Sequence, residues 1–230
     1  MDKNEYVEHE ILKITKFWAS FALIVGAFIV VALSILDYFI TPENFLRFLS
    51  YRLICASTMI LLLLVFRQSK SNFLQFLIII TAAILISSTI ELMILSSGGH
   101  QSTYYAGMIL IIIFMLGVIP FSFKISIVIV SFIYAIYLLP ILFLDDITNV
   151  QLFTNNNVFL LTTTTIALMW RFLNQRSLMN ELSLQYDLAE RKNKLEEYSG
   201  NLEGLVVKRT MELSASEQRH RELFENANDG

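Results

Sequence analysis

The chain has one cysteine, three prolines and little charge: only 16% of its 230 residues are Asp, Glu, Lys or Arg. The single cysteine, Cys55, excludes an intramolecular disulfide, and its place inside an apolar run reads as a small core residue. With so few prolines and only eight glycines, long stretches are free of helix breakers. Charge is nearly missing from the middle, where residues 73–153 hold only Glu91, Lys124, Asp145 and Asp146, with His100 beside them. The net charge is -3 and no basic domain is present, which argues against nucleic acid as a partner. The two-residue alternation of a membrane barrel is also missing.

What the chain does have is apolar length. It is 55% hydrophobic, with a mean hydropathy of +0.60. Six apolar runs fall at about 17–39, 48–66, 73–95, 104–122, 125–144 and 153–173, each close to the roughly 20 residues needed to cross a bilayer as a helix. The pattern predicts an all-α fold, a six-helix transmembrane bundle over 17–174 after a cytoplasmic segment, 1–16. Residues 1–16 are mixed in charge and the run from Phe17 is followed by no small-x-small pattern, so a first span is expected rather than a cleaved signal. Lys3, Lys13, Lys16, Arg67, Lys70, Lys124, Arg171 and Arg176 collect on one side of this arrangement, against Arg47 and Arg52 on the other. Positive residues favour the cytoplasm, so both termini are expected there. The outward loops, about 40–47, 96–103 and 145–152, are short. Whatever is detected is therefore expected to reach the bundle itself or to be a property of the membrane.

Asp37, Arg52, Glu91 and His100 all fall toward the outward ends of their segments, and charges at such depths normally face the bundle and have partners. Three readings are open: an ion pair of Arg52 with Asp37 or Glu91 that locks helix packing, the polar floor of a ligand pocket, or a divalent-cation site made by Asp37, Glu91 and His100. In the stretch 96–107, Gly98 and Gly99 permit a sharp turn, Ser102 or Thr103 can cap the next helix, and Tyr104 and Tyr105 suit an interface. The sixth span is polar for a membrane helix, with Asn155, Asn156 and Asn157 at its entry and threonines at 162–165, which can also bond back to their own helix. The candidate ligand-binding set is Asp37, Arg52, Glu91, His100, Tyr104, Tyr105, Asn156 and Thr163. No nucleophile constellation points to catalysis, and no cofactor is expected beyond the candidate cation. His9 and His220 lie on the inner side, which argues against haem ligation together with His100. Against a transporter or channel stand the missing inverted repeat and the missing midplane charge. Pro120 and Pro140 are expected to mark kinks or helix ends.

After Trp170 and Arg171 the helix is expected to continue. Leu184, Leu188, Arg191, Leu195, Tyr198, Leu202 and Leu205 follow a heptad, and all but Arg191 suit a two-stranded seam. The spacing predicts a parallel dimeric coiled coil over 175–216 and hence a homodimer; the alternative is one amphipathic helix resting on a neighbour. Gly200 and Gly204 weaken the helix by about 1 kcal/mol each relative to alanine.

The stretch LEGLVVKRTMEL at 202–213 is similar to the helix that precedes PAS domains in bacterial sensor histidine kinases. SEQRHRELFENANDG at 216–230 resembles the opening of a PAS domain, so 217–230 is read as the start of one, cut short. Arg221 follows His220 where the phospho-acceptor pattern has Glu, so His220 is read as part of the lead-in helix. With GGHQSTYYAG at 98–107, the membrane part resembles the six-helix sensor modules of bacterial histidine kinases, similar in layout to quorum-sensing receptor kinases and membrane adenylyl cyclases. The resemblance implies a receptor input module in a bacterial inner membrane, sensing a small apolar or amphipathic signal. It implies transmission through the sixth span and the coiled coil to PAS and kinase domains, with a response regulator downstream. The alternative output is a diguanylate or adenylyl cyclase.

Overall fold

The computed structural model describes residues 2–69 and 71–228, with side chains through 219. Lys70 and the side chain of His220 therefore lie outside the described residues, as do the side chains of most of the PAS-like stretch. Seven helices account for nearly all of the rest: α1 (Lys3–Ala32), α2 (Ser34–Ile40), α3 (Phe45–Gln68), α4 (Asn72–Ser96), α5 (Tyr105–Val118), α6 (Phe123–Leu144) and α7 (Val150–Asn228). Short 3₁₀ turns at Pro42–Asn44 and Gly99–Gln101 join α2 to α3 and α4 to α5. The fold is all-α, with no strand among the described residues.

Helices occupy all six apolar runs, but four are long and apolar enough to cross a membrane: Lys3–Ile40, Pro42–Gln68, Asn72–Ser96 and Phe123–Leu144. α5 has only 14 residues, about 21 Å at 1.5 Å per residue and short of a hydrocarbon core of roughly 30 Å. The part of α7 in the sixth apolar run is diluted by the asparagines and threonines noted above. The chain forms two compact units, residues 1–179 and 180–230. In the first, α1 packs on α3, α3 on α4, and α4 on α5 and α6.

Small residues let α1 and α3 approach closely. Ala19, Ala22, Gly26 and Ala27 are buried on one face of α1, and Cys55, Ala56 and Met59 are buried on α3, the helix that α1 packs against. A Cβ at Gly26 would stand 2.9 Å from Cε of Met59, the free end of that side chain, so glycine spares Met59 a small shift. Pro140 sits inside α6 without ending it, whereas Pro120 lies in the α5–α6 connection. The residue before a proline is pushed toward extended backbone, and Ile119 adopts φ -93°, ψ 123°, which stops α5.

Irregular backbone inside a membrane protein must be buried in protein with its polar groups bonded. Ile119 and Phe121 are almost fully buried. α7 supplies the partners: buried Arg171 donates through Nε to the Phe121 carbonyl at 2.7 Å, and Gln175 Oε1 accepts the Phe123 N–H at 2.7 Å. The sequence marked Arg171 only as one of the positive residues of the inner side; its guanidinium also seals this break. Arg171→Ala should cost about 1–3 kcal/mol, the worth of a charge-assisted bond to a buried carbonyl. Faster hydrogen exchange of the amides around 119–123 should report it, while Arg176→Ala, on an exposed neighbour, should leave them unchanged.

Candidate functional site

The polar residues gather where α2, α3, the 97–104 connection and the start of α7 meet. Asp37 of α2 is fully buried and Arg52 of α3 is 5% exposed. Their contact is bidentate: Arg52 Nε donates to Asp37 Oδ2 at 2.6 Å and Nη2 to Oδ1 at 3.0 Å. Arg52 Nη1 donates to the Val30 carbonyl at 3.2 Å. Val30 lies in the last turn of α1, where carbonyls lose their helical partners, so one guanidinium secures both the carboxylate and the α1–α2 break at Leu33. Tyr104 adds a third arm. Its hydroxyl donates to Asp37 Oδ1 at 2.9 Å and lies 2.9 Å from Thr41 Oγ1, and its ring packs edge-on against Phe48. Of the ion-pair readings, the structure holds Arg52 with Asp37.

His100 forms a second assembly. Its backbone N–H and its ring Nδ1 both lie 2.7 Å from Asp145 Oδ2. On the far side of the ring, Nε2 accepts the Asn149 N–H at 3.2 Å. An accepting Nε2 carries no proton, so the proton sits on Nδ1 and points to the carboxylate. Asn149 in turn caps α7, accepting the Leu152 N–H at 3.0 Å, and Asn156 Nδ2 donates to the His100 carbonyl at 3.2 Å. The 97–104 connection is thereby fastened to the first turns of α7. Gly99 makes this possible: it has φ +55°, and a Cβ there would overlap the Asp145 carboxylate. Asp145 feels some desolvation, which raises its pKa. The His100 backbone N–H and ring outweigh that, and the carboxyl is held below its ordinary range.

Glu91 stands apart from both assemblies. It is 4% exposed, and neither carboxyl oxygen has a hydrogen-bond partner among the described residues. Ser87, one turn earlier on α4, is likewise buried and unpartnered, as is the Tyr137 hydroxyl of α6. Tyr137 lies within electrostatic reach of Glu91, Tyr105 and Tyr134, and Tyr134 donates to Asn157 Oδ1 of α7 at 3.0 Å. Thr163 is elsewhere, lining a groove of about 320 Å³ with Ile113 and Gly117 of α5. A cavity of about 270 Å³ opens between α1, α3, α4 and α5, bounded by Arg52, Cys55 and Thr89 among apolar side chains.

The family model MASE8 matches residues 35–189, two thirds of the chain and every candidate site residue. The chain belongs to the MASE8 family. This is a membrane-associated, sensor-type domain family, in keeping with the apolar helices. No curated protein and no solved structure matches the chain.

In this MASE8 domain the eight candidate residues separate into groups. Asp37, Arg52 and Tyr104 share one network, His100 and Asn156 another, Glu91 and Tyr105 lie near Tyr137, and Thr163 is alone. Asp37, Glu91 and His100 share no partner, and no group of three or more His, Cys, Asp or Glu able to hold a metal occurs among the described residues. The candidate cation site is thus not assembled. Sequence reasoning passed over Asp145, Asn149 and Thr41 because loop polar residues are common, and over Tyr137 because it sits in an apolar run.

Breaking one side of the buried pair leaves an uncompensated charge, so Asp37→Asn and Arg52→Met should each cost about 3–5 kcal/mol, while Asp37→Leu with Arg52→Met together should recover most of it. Denaturant unfolding in micelles, followed by circular dichroism, measures the cycle. For Asp145, a folded pKa below the unfolded one means its contribution is fully present above the ordinary carboxylate range. That contribution is lost as pH falls through the depressed value. Melting temperatures between about pH 6 and pH 3 should therefore fall more steeply for the native chain than for Asp145→Asn.

Proposed function

We propose that this chain is the input module of a bacterial membrane receptor, a homodimer that senses a small apolar or amphipathic signal within its helix bundle. The bundle sits in the inner membrane with both termini in the cytoplasm, as the clustering of Lys and Arg favours. Signal binding near the buried networks shifts the start of α7, and the same helix carries the shift into a coiled coil. Beyond it stand PAS and histidine kinase domains, with a response regulator downstream; the PAS-like stretch at 216–230 supports that output.

The observation that carries this reading is the composition of α7. One uninterrupted helix bears Asn156, bonded to His100, and the heptad positions from Leu184 to Leu205. Leu184, Leu188, Leu195, Tyr198, Leu202 and Leu205 are each 60–73% exposed in the single chain. Such a stripe is what a second copy covers in a two-stranded coil. To be useful, a ligand need only prefer one arrangement of α7, since a coupling of about 1–3 kcal/mol shifts an equilibrium roughly 5- to 150-fold.

Two measurements test the proposal on the chain in vesicles, in a Cys55→Ser background. Cysteines placed at Glu5 and at Glu217 should be labelled from the same face by an impermeant reagent. Leu188→Cys should cross-link copies to one another, and Leu195→Glu with Leu202→Glu should abolish that cross-link. Labelling from opposite faces, or cross-linking that ignores the two glutamates, would remove the receptor reading.

A further inference from the structure

We propose that the cavity between α1, α3, α4 and α5 binds an apolar chain that ends in an uncharged hydrogen-bond acceptor, such as an ester or alcohol oxygen. Its use as a signal site rests on the receptor reading above; its ligand chemistry does not.

Size comes first. A void of about 150 Å³ takes up one benzene, so the present 270 Å³ holds roughly ten non-hydrogen atoms. The walls decide the body of the ligand. Val30, Ile86, Ile90 and Leu110 offer only hydrocarbon, and Thr89 turns its hydroxyl away to the Leu85 carbonyl at 2.8 Å. Access decides the route: Leu110 and Ile113, both at the rim, are about half exposed on a helix face that meets the acyl chains, so entry is from the bilayer.

Arg52 decides the head. A guanidinium has five N–H bonds. Three are taken by Asp37 and Val30, so two have no partner among the described residues, and the side chain borders the cavity. Asp37 already neutralises the charge. A carboxylate head would add an unbalanced negative charge in a medium of low dielectric, and an ammonium head would face the guanidinium directly. A neutral oxygen satisfies the spare donors without either cost. Two sources carry this chemistry: a free amphiphile dissolved in the membrane, or the acyl ester of a resident lipid.

The test uses the whole chain in phosphatidylcholine nanodiscs with a methyl ester of about ten carbons bearing a mid-chain diazirine, long enough to fill the void and leave by its mouth. Photolabel mapped by peptide mass spectrometry should concentrate on the segments around Cys55 and Leu110. Methyl decanoate and decanol should displace it; decanoate and decyltrimethylammonium should not. Leu110→Trp and Ile113→Trp, which close the mouth from its exposed side, should each lower the label roughly tenfold, about the loss of one well-filled contact. Leu142→Trp, at an exposed site that does not border the cavity, should not, and circular dichroism should find all three equally helical. Label spread evenly over the lipid-facing helices, displacement by the charged amphiphiles as readily as by the neutral ones, or label surviving both rim variants would overturn the proposal. A diacyl lipid that stays on the ejected protein and is released by methyl decanoate identifies the resident source. Protein that emerges bare and takes up the ester identifies the free one; either keeps the site. Binding that leaves the Leu188→Cys cross-link unchanged sinks the receptor reading and spares the site, whereas loss of specific label does the reverse.

Discussion

A guanidinium and a carboxylate buried together set the terms for this end of the bundle. Two charges so deep in an apolar protein cost more to desolvate than an ordinary contact returns, and they persist only when geometry and further hydrogen bonds are nearly complete. Arg52 and Asp37 meet that demand by recruiting the Val30 carbonyl and the Tyr104 hydroxyl. Four segments are fixed as a result: the end of α1, α2, α3 and the entry to α5. The break at Leu33 is part of the same solution, since it turns Asp37 toward α3 and frees a carbonyl for the guanidinium.

The bundle is unevenly satisfied. The Arg52 and His100 assemblies bond every side-chain nitrogen and carboxylate oxygen they use to join segments, while Glu91, Ser87, Ser97, Tyr137 and Thr164 contribute buried oxygens that bond to nothing among the described residues. Unpaired polar groups in a packed interior are costly and uncommon in folded proteins. α4 and α6 carry three of these five residues.

Much of this was legible in the sequence, for reasons that also explain the gaps. Uninterrupted apolar length announces helices, and an intramembrane Arg demands an acid, so the Arg52 pair could be anticipated. Choosing Asp37 over Glu91 required knowing where α1 breaks, and no proline or glycine marks Leu33. The role of Asp145 was hidden because a loop aspartate needs no explanation; the two adjacent glycines at 98 and 99 were the available sign that something would press against that turn. The threonines of α7 show a limit of another kind. Four in a row cover all sides of a helix, so Thr163 could not be told from Thr164, and the structure places the former in a groove beside α5 and the latter in the interior.

The bundle-packed part of α7 is anchored at both extremities, by Asn149 and Asn156 to His100 and by Arg171 and Gln175 to the α5–α6 connection. Sliding the helix lengthwise by one turn, about 5.4 Å, would sever every one of these bonds at once. Rolling it about its axis would carry Asn156, Arg171 and Gln175 off their partners as well. A pivot on one anchor breaks only the bonds at the other, so a swing leaves more of this fastening intact than a stroke or a roll.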